Sequence, residues 1–513
     1  MSAASSTSVV LRKELRALLP VWLAGAFAIG ATAVLGSPRN VPLILFLYAV
    51  GPIVLGAQSI GHEYTYGTIG AFLAQPVDRR RMLLIKIGVL ALTISVLLAL
   101  WLVFPDRSWA LQTAIWRPSA VLGVAAVCGL FVAPALTMLS RSPLPGIVFT
   151  TAAPMLLLLL GEILATAKYG ANAGIEIDRL KLAVFWRGLL ALCVVGAIST
   201  WRMFMRLEDL EGYGPQLRLP HWVRGRTLVR AEPIELDAVR RGHPIWLLVR
   251  KELRLQQLTF AVVGLSALAL ATIAVLRHSG GRAPRLPLAP LTLTYLTMLS
   301  MLIGALASAE ERHFGTVEWQ LLLPIAMWKQ WMVKAGTAVG LAMLLAIGVT
   351  VTLSLLHLPD YDLRPPSGVW WREAAQTILL VTTGSLYVST LCGSGVRALV
   401  MSIAGTLGAS ILIDRLSVLA WLFDRSFQPQ PVLTRAVLSA WRARAMAMMH
   451  ALDVLSLVTT GIFVALFLWF AYTNHRSVDR SIRRIWPQIA FLAVLVAGTV
   501  IARAAILVFY RAF

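Results

Sequence analysis

EYTYGTIGAFLAQPVDRRRMLLIKIG, residues 63–88, separates two long apolar runs with a glycine, a proline and three adjacent arginines. A second stretch, ERHFGTVEWQLLLPIAMWKQWMVKAG at 311–336, aligns with it without a gap. Glu63, Gly67, Thr68, Leu73, Pro76, Lys86 and Gly88 recur as Glu311, Gly315, Thr316, Leu321, Pro324, Lys334 and Gly336, and Tyr66/Phe314 and Ile69/Val317 are similar pairs. LRKELR at 11–16 returns as VRKELR at 249–254, each time just ahead of an apolar run. Two independent echoes in one order point to an internal duplication, which sets the frame for the rest of the chain.

Outward from these stretches the chain is too apolar for a soluble protein. Of its 513 residues 58% are hydrophobic and 14% charged, and the mean hydropathy is +0.76. Apolar runs of about 20 residues recur, long enough to cross a hydrocarbon core as helices. The alternating strand pattern of a barrel is absent, which leaves a helical bundle as the way to satisfy backbone groups in lipid. A net charge of +22 would suggest nucleic acid in a soluble chain. Here the basic residues flank apolar runs, the placement that sets membrane orientation, so the expected partner is lipid and not nucleic acid. Cys128, Cys193 and Cys392 lie in apolar segments without metal or disulfide spacing. MSAASSTSVV has no basic region before an apolar core, so no cleaved leader is expected.

Spans are expected at 17–36, 41–60, 82–104, 119–139, 144–164 and 182–200, with LRKELR as a short amphipathic segment before the first. Residues 201–248 are charged and punctuated by Pro and Gly, the composition of a cytoplasmic linker. The second half repeats the plan at 256–276, 287–308, 331–356, 374–392, 398–422 and 453–473, with a long loop over 424–450. A basic segment at 476–485 leads to a thirteenth span at about 487–510. The expected architecture is therefore an all-α polytopic membrane protein. It divides as a six-span half (1–200), the linker (201–248), a second six-span half (249–475) and a C-terminal extra span (476–513). Six crossings separate the two copies of the opening stretch, so both face one side. Arg79–Arg81, the linker and Arg476–Arg484 mark that side, and with it the N-terminus, as cytoplasmic. The halves are then parallel repeats rather than inverted ones.

The residues offer little chemistry. GxxxxGK[ST] occurs nowhere, so no nucleotide is cradled that way. His62-Glu63 begins HExxH, but Tyr66 stands where the second His belongs, and a polar span end is the better reading. Met446, Met448, Met449 and His450 could suggest copper, but a helix lying on the outer leaflet accounts for them more simply. Glu162 and Asp414 are acidic residues near outer span ends, open to a functional role or to simple solvation. The opening stretch reads as a bend at Gly67, a Thr68 cap, a helix over 68–75 and a stop at Pro76. That describes a short helix along the cytoplasmic face, suited either to lipid alone or to a partner. Its recurrence in both halves favours a partner with two-fold symmetry.

The succession of an acidic residue, Gly-Thr, a Leu-rich turn, a proline, a basic stretch and a Lys in the next span resembles the ABC exporter permeases of the second type. RKEL before the first span is similar to that family's connecting helix. The resemblance covers 11–104 and 249–356 best. It implies a transport subunit rather than an enzyme, with two copies of a cytoplasmic ATPase as partner. This chain would bind no cofactor itself, ATP and Mg being held by the ATPase. By position, Glu63, Gly67, Thr68 and Pro76 would form one coupling site and Glu311, Gly315, Thr316 and Pro324 the other. Arg12, Lys13 and Glu14, with Arg250, Lys251 and Glu252, would lie in connecting helices, and Glu162 and Asp414 near an outer gate. The resemblance implies the cell (inner) membrane and export. The family plan has no thirteenth span, and this chain lacks the ATPase. An ion-coupled secondary transporter is the main alternative, disfavoured by span centres almost free of charge, and a membrane-embedded enzyme or assembly factor is the third.

Overall fold

The computed structural model describes residues 3–35, 41–73, 77–103, 118–169, 174–207, 244–278, 288–313, 315, 324–355, 368–406, 408–409, 435–477 and 482–512. Regular structure there is helical, as lipid requires of an open-chain bundle. We name the helices α1 (Ala3–Leu35), α2 (Val41–Thr65), α3 (Ile69–Leu73), α4 (Arg79–Val103), α5 (Pro118–Ser140), α6 (Pro143–Tyr169) and α7 (Gly174–Met205). There follow α8 (Pro244–Leu255), α9 (Gln257–His278), α10 (Leu288–His313), α11 (Met327–Leu355) and α12 (Gly368–Leu391). The last are α13 (Gly395–Thr406), α14 (Arg435–His475) and α15 (Ile482–Ala512). Among the described residues, eight helices are long and apolar enough to cross a membrane, and the pair α8–α9, bent by 57°, would make a ninth. The protein is a multi-pass helical membrane protein.

The helices gather into two compact units. One holds residues 1–247, 257–291 and 356–360, the other 248–256, 292–355 and 361–513. These limits do not follow the sequence halves, because α9 groups with the first unit.

In the first unit α2 is the central helix, packed by α1, α4, α5 and α6. Its closest crossing is with α5, and small residues make that possible. A Cβ on Gly56 would stand 1.8 Å from the Gly129 carbonyl oxygen, and one on Gly129 would stand 2.3 Å from that of Pro52. Backbones in such contact gain dispersion that lipid cannot match. Around this crossing Leu18, Leu55, Leu90, Leu97 and Leu122 form a buried cluster. Cys128 and Cys193 lie in a neighbouring one with Phe185 and Leu189. In the second unit Gly304 takes the same part: its Cβ would stand 2.6 Å from the Thr382 carbonyl oxygen. Ser385 on α12 also donates to the Met301 carbonyl at 2.7 Å.

Two expectations change. LRKELR is not a separate segment in the first half, since α1 runs through it without a break; only the second half has a distinct short helix, α8. Of the short helix after Gly67 the described residues hold Ile69–Leu73, and the expected continuation to 75 lies outside them. The basic run ending at His450 is no loop from Arg435 onward, because α14 continues through it into the span. Helix α15 is held to the second unit near its start. Gln488 and Asn474 exchange amide hydrogen bonds at 3.1 and 3.2 Å, and Tyr387 donates to Gln488 at 3.2 Å. Beyond these contacts its Val494 and Ile501 side chains are exposed, as lipid-facing residues would be.

Candidate functional site: two buried lysine–glutamate clasps

Glycine sets the position of the first clasp. Gly67 has φ 62°, the left-handed region that a side chain disfavours. Its N–H bonds the Tyr64 carbonyl, and the Thr68 N–H bonds that of Glu63 at 3.0 Å. This paired pattern closes the C-terminus of α2 and turns the chain sharply. Gly315 has φ 66° and its N–H bonds the Arg312 carbonyl, the corresponding contact at the end of α10. Thr68 begins α3 with its carbonyl accepting from the Phe72 N–H, while its hydroxyl turns back to donate to Glu63.

Behind the turn, charges from three helices converge. Lys86 of α4 places Nζ 2.7 Å from Glu14 Oε1 of α1, 3.4 Å from Glu63 Oε1 of α2 and 3.2 Å from the Ser59 carbonyl. Lys13 completes the set at 2.8 Å from Glu63. Glu14, Glu63 and Lys86 are all buried. A lysine so enclosed is tolerable only because two carboxylates and a carbonyl replace its water. Phe72 of α3 covers the clasp, with Lys86 and Lys13 at 4.6 and 5.2 Å from its ring centroid. Its other side meets Phe204 near the end of α7, edge to face at 6.2 Å. Arg79 ties the same end of α7 by donating to the Met205 carbonyl at 3.0 Å.

The second unit builds the same arrangement from the aligned residues. Lys334 of α11 pairs with Glu311 of α10, lies 3.4 Å from Glu252 of α8, and donates to the Ala307 carbonyl at 2.8 Å. Lys251 pairs with Glu311 from the other side. Even the carbonyl partners correspond, since Ser59 precedes Glu63 by as many residues as Ala307 precedes Glu311. Arg312 donates to the Asn474 carbonyl near the end of α14 at 3.1 Å.

The acids, which lie beyond the expected spans, respond to these surroundings. Burial pushes Glu63 up, but His62, Lys86, Lys13 and Thr68 together outweigh it and hold the carboxyl below the usual range. Glu311 is likewise pushed up by burial and brought down to about 2 by Lys334 and Lys251. Glu252 goes the other way: burial, with the like charge of Glu311, raises it to about 7 against the pull of Lys334. Glu310, aligned with His62, is raised to about 7 by burial.

Donor atoms of Glu14, His62 and Glu63 lie within 4.8 Å of one another, close enough for a metal ion. His62 Nδ1 faces the Gln58 carbonyl at 2.8 Å, so it carries the hydrogen. Nε2 then lies 3.2 Å from Glu63 Oε1 and 3.9 Å from Glu14 Oε2. Lys86 and Lys13 already bring two positive charges to these carboxylates, and we assign the cation role there to the lysines.

The site residues expected from sequence therefore divide. Lys13, Glu14 and Glu63 meet in one clasp and Lys251, Glu252 and Glu311 in the other, whereas Arg12 and Arg250 point outward, exposed. Gly67, Thr68 and Gly315 sit at the turns, and Pro324 is exposed before α11. Pro76, Thr316 and Asp414 lie outside the described residues. Glu162 is buried and paired with Lys181 of α7 at 2.5 Å, joining α6 to α7. Sequence reasoning passed over Lys86 and Lys334 as partners, read His62 only as a polar span end, and took Phe72 for an apolar residue of the short helix. A lysine at one position of an apolar run in both copies was the available signal, since such a charge requires a partner.

No family model matches the chain, and neither a curated protein nor a solved structure matches it.

Proposed function

We propose that the chain is the membrane-spanning subunit of an ATP-driven exporter of the ABC type, in the cell (inner) membrane with its N-terminus in the cytoplasm. It consists of two parallel six-span halves followed by a thirteenth span. Two copies of a separate ATPase dock at the turns after α2 and α10 and supply the ATP chemistry. The observation that carries this reading is the repetition of one clasp behind two left-handed glycines, each joining the start of a half to its second and third spans. A push on α3 would reach Lys86 and Lys13 through Phe72 and α7 through Phe204, which makes the short helix a lever on three others. Transport then requires no catalytic group in this chain.

The test is crosslinking in the native host with single cysteines at Tyr66, next to the first turn, or Trp328, at the start of α11, both exposed. A crosslink to a cytoplasmic protein carrying a Walker A motif is the expected result. Isolation of the chain from its own membranes with no ATPase crosslinked or co-purified would overturn the reading.

A further inference from the structure

The outward side of the two helices that feed the clasps has its own pattern. At about 100° per residue, Arg12 and Arg16 project about 160° and 200° round α1 from Glu14. Arg250 and Arg254 take the same positions round α8 relative to Glu252, again at about 160° and 200°. All four are exposed, so each helix turns a glutamate inward and a pair of arginines outward. Flanking the arginines is an exposed apolar strip: Leu11 and Leu15 on α1, and Trp246 on α8 at 62% exposure. Two arginines one turn apart, about 6 Å along the axis, match the span of one phosphodiester, which guanidinium groups bind in bidentate fashion. An apolar strip beside them suits the acyl boundary just beneath the headgroups, with tryptophan at the interface.

We infer that Arg12/Arg16 and Arg250/Arg254 are two binding sites for anionic phospholipid of the cytoplasmic leaflet. Each pair holds one headgroup phosphate while Leu11 and Leu15, or Trp246, rest on its chains. The phosphate lies on the opposite side of each helix from the clasp, so lipid and clasp together fix that helix's rotation. The inference rests on the membrane placement of the chain and not on its having an ATPase partner.

The experiment uses the full chain purified in detergent and examined by native mass spectrometry with phosphatidylglycerol or phosphatidylcholine at equal concentration. The wild type should retain phosphatidylglycerol preferentially. R12Q/R16Q/R250Q/R254Q should retain roughly tenfold less or lower still, as expected for several basic contacts near a charged surface. If the fourfold variant does not purify folded, R12Q/R16Q and R250Q/R254Q are measured separately, each expected to lose about half of the bound lipid. Equal retention of the two lipids, retention by the Gln variants as strong as wild type, or displacement of phosphatidylglycerol by equimolar inorganic phosphate would each overturn the inference.

Discussion

Lys86 and Glu14 are 72 residues apart in sequence and 2.7 Å apart in space, each side chain about 1% exposed. The pair joins α1 to α4 while Glu63, on α2 between them, shares the same ammonium. An ion pair this enclosed gains little relative to apolar residues of the same size, but it is costly to break on one side only.

Lys86→Met and Lys334→Met each leave buried carboxylates short of a cation and should destabilise the chain by about 3–5 kcal/mol. Combining Lys86→Met with Glu14→Leu should recover part of that loss. Thermal unfolding in detergent measures both effects. A Lys86→Met protein as stable as wild type would show that Lys86 does not carry the clasp.

Among the described residues no atom lies within 4 Å of a Cβ added at Gly67 or Gly315, and the cost of alanine there is argued from the backbone angle. We expect a loss of about 1–2 kcal/mol for alanine. Asn at either position should cost less, because it tolerates the left-handed region. Indistinguishable melting curves for glycine and alanine would contradict the capping geometry.

Gly56→Ala should be far more severe than Gly340→Ala, although both glycines lie within helices. The first would press a methyl 1.8 Å from the Gly129 carbonyl oxygen, whereas no atom of the described residues lies within 4 Å of the second. Gly340→Ala should gain up to about 1 kcal/mol from helix propensity. The yield of folded, monodisperse protein separates them, and equal yields would argue against the close α2–α5 crossing.

The acids in and beside the second clasp predict a dependence on pH. A carboxyl whose pKa is raised by folding destabilises the fold where it must ionise. For Glu310 the penalty is absent below its ordinary value of 4.5, grows as pH rises, and levels off above about 7. Glu252 contributes in the same direction over the same window. The two acids therefore lower the melting temperature between pH 4.5 and 7, and Glu310→Gln should show less of this fall than wild type. Parallel curves for the two proteins would rule out Glu310 as a contributor.

Much of this was legible in the residues. Periodicity and run length gave the helical membrane class, and Gly67 and Gly315 announced turns because few other residues accept their backbone angles. The pairing of Glu63 with Glu311 and of the two RKEL stretches named six of the clasp residues. Their convergence was not legible, because it depends on which faces of α1, α2 and α4 meet. The close approach at Gly56 was hidden for the same reason, since a glycine in an apolar helix reads alike whether it faces lipid or a neighbouring backbone. Phe72 looked like one more apolar residue of a short helix, and only its position over two ammonium groups distinguishes it. The continuity of α1 and α14 also escaped prediction, because charged segments that read as interruptions are helical and run on into spans.

The clasps also have a bearing on how the chain is made. Glu63 leaves the ribosome 23 residues ahead of Lys86, and Glu311 as far ahead of Lys334. During that interval the earlier helices carry acids whose buried counter-charge has not yet been synthesised, so they cannot settle against each other in their final packing. Arrival of the third long helix supplies the missing ammonium and locks the group at once. The final packing of these helices thus waits on a charge that comes last, twice along one polypeptide.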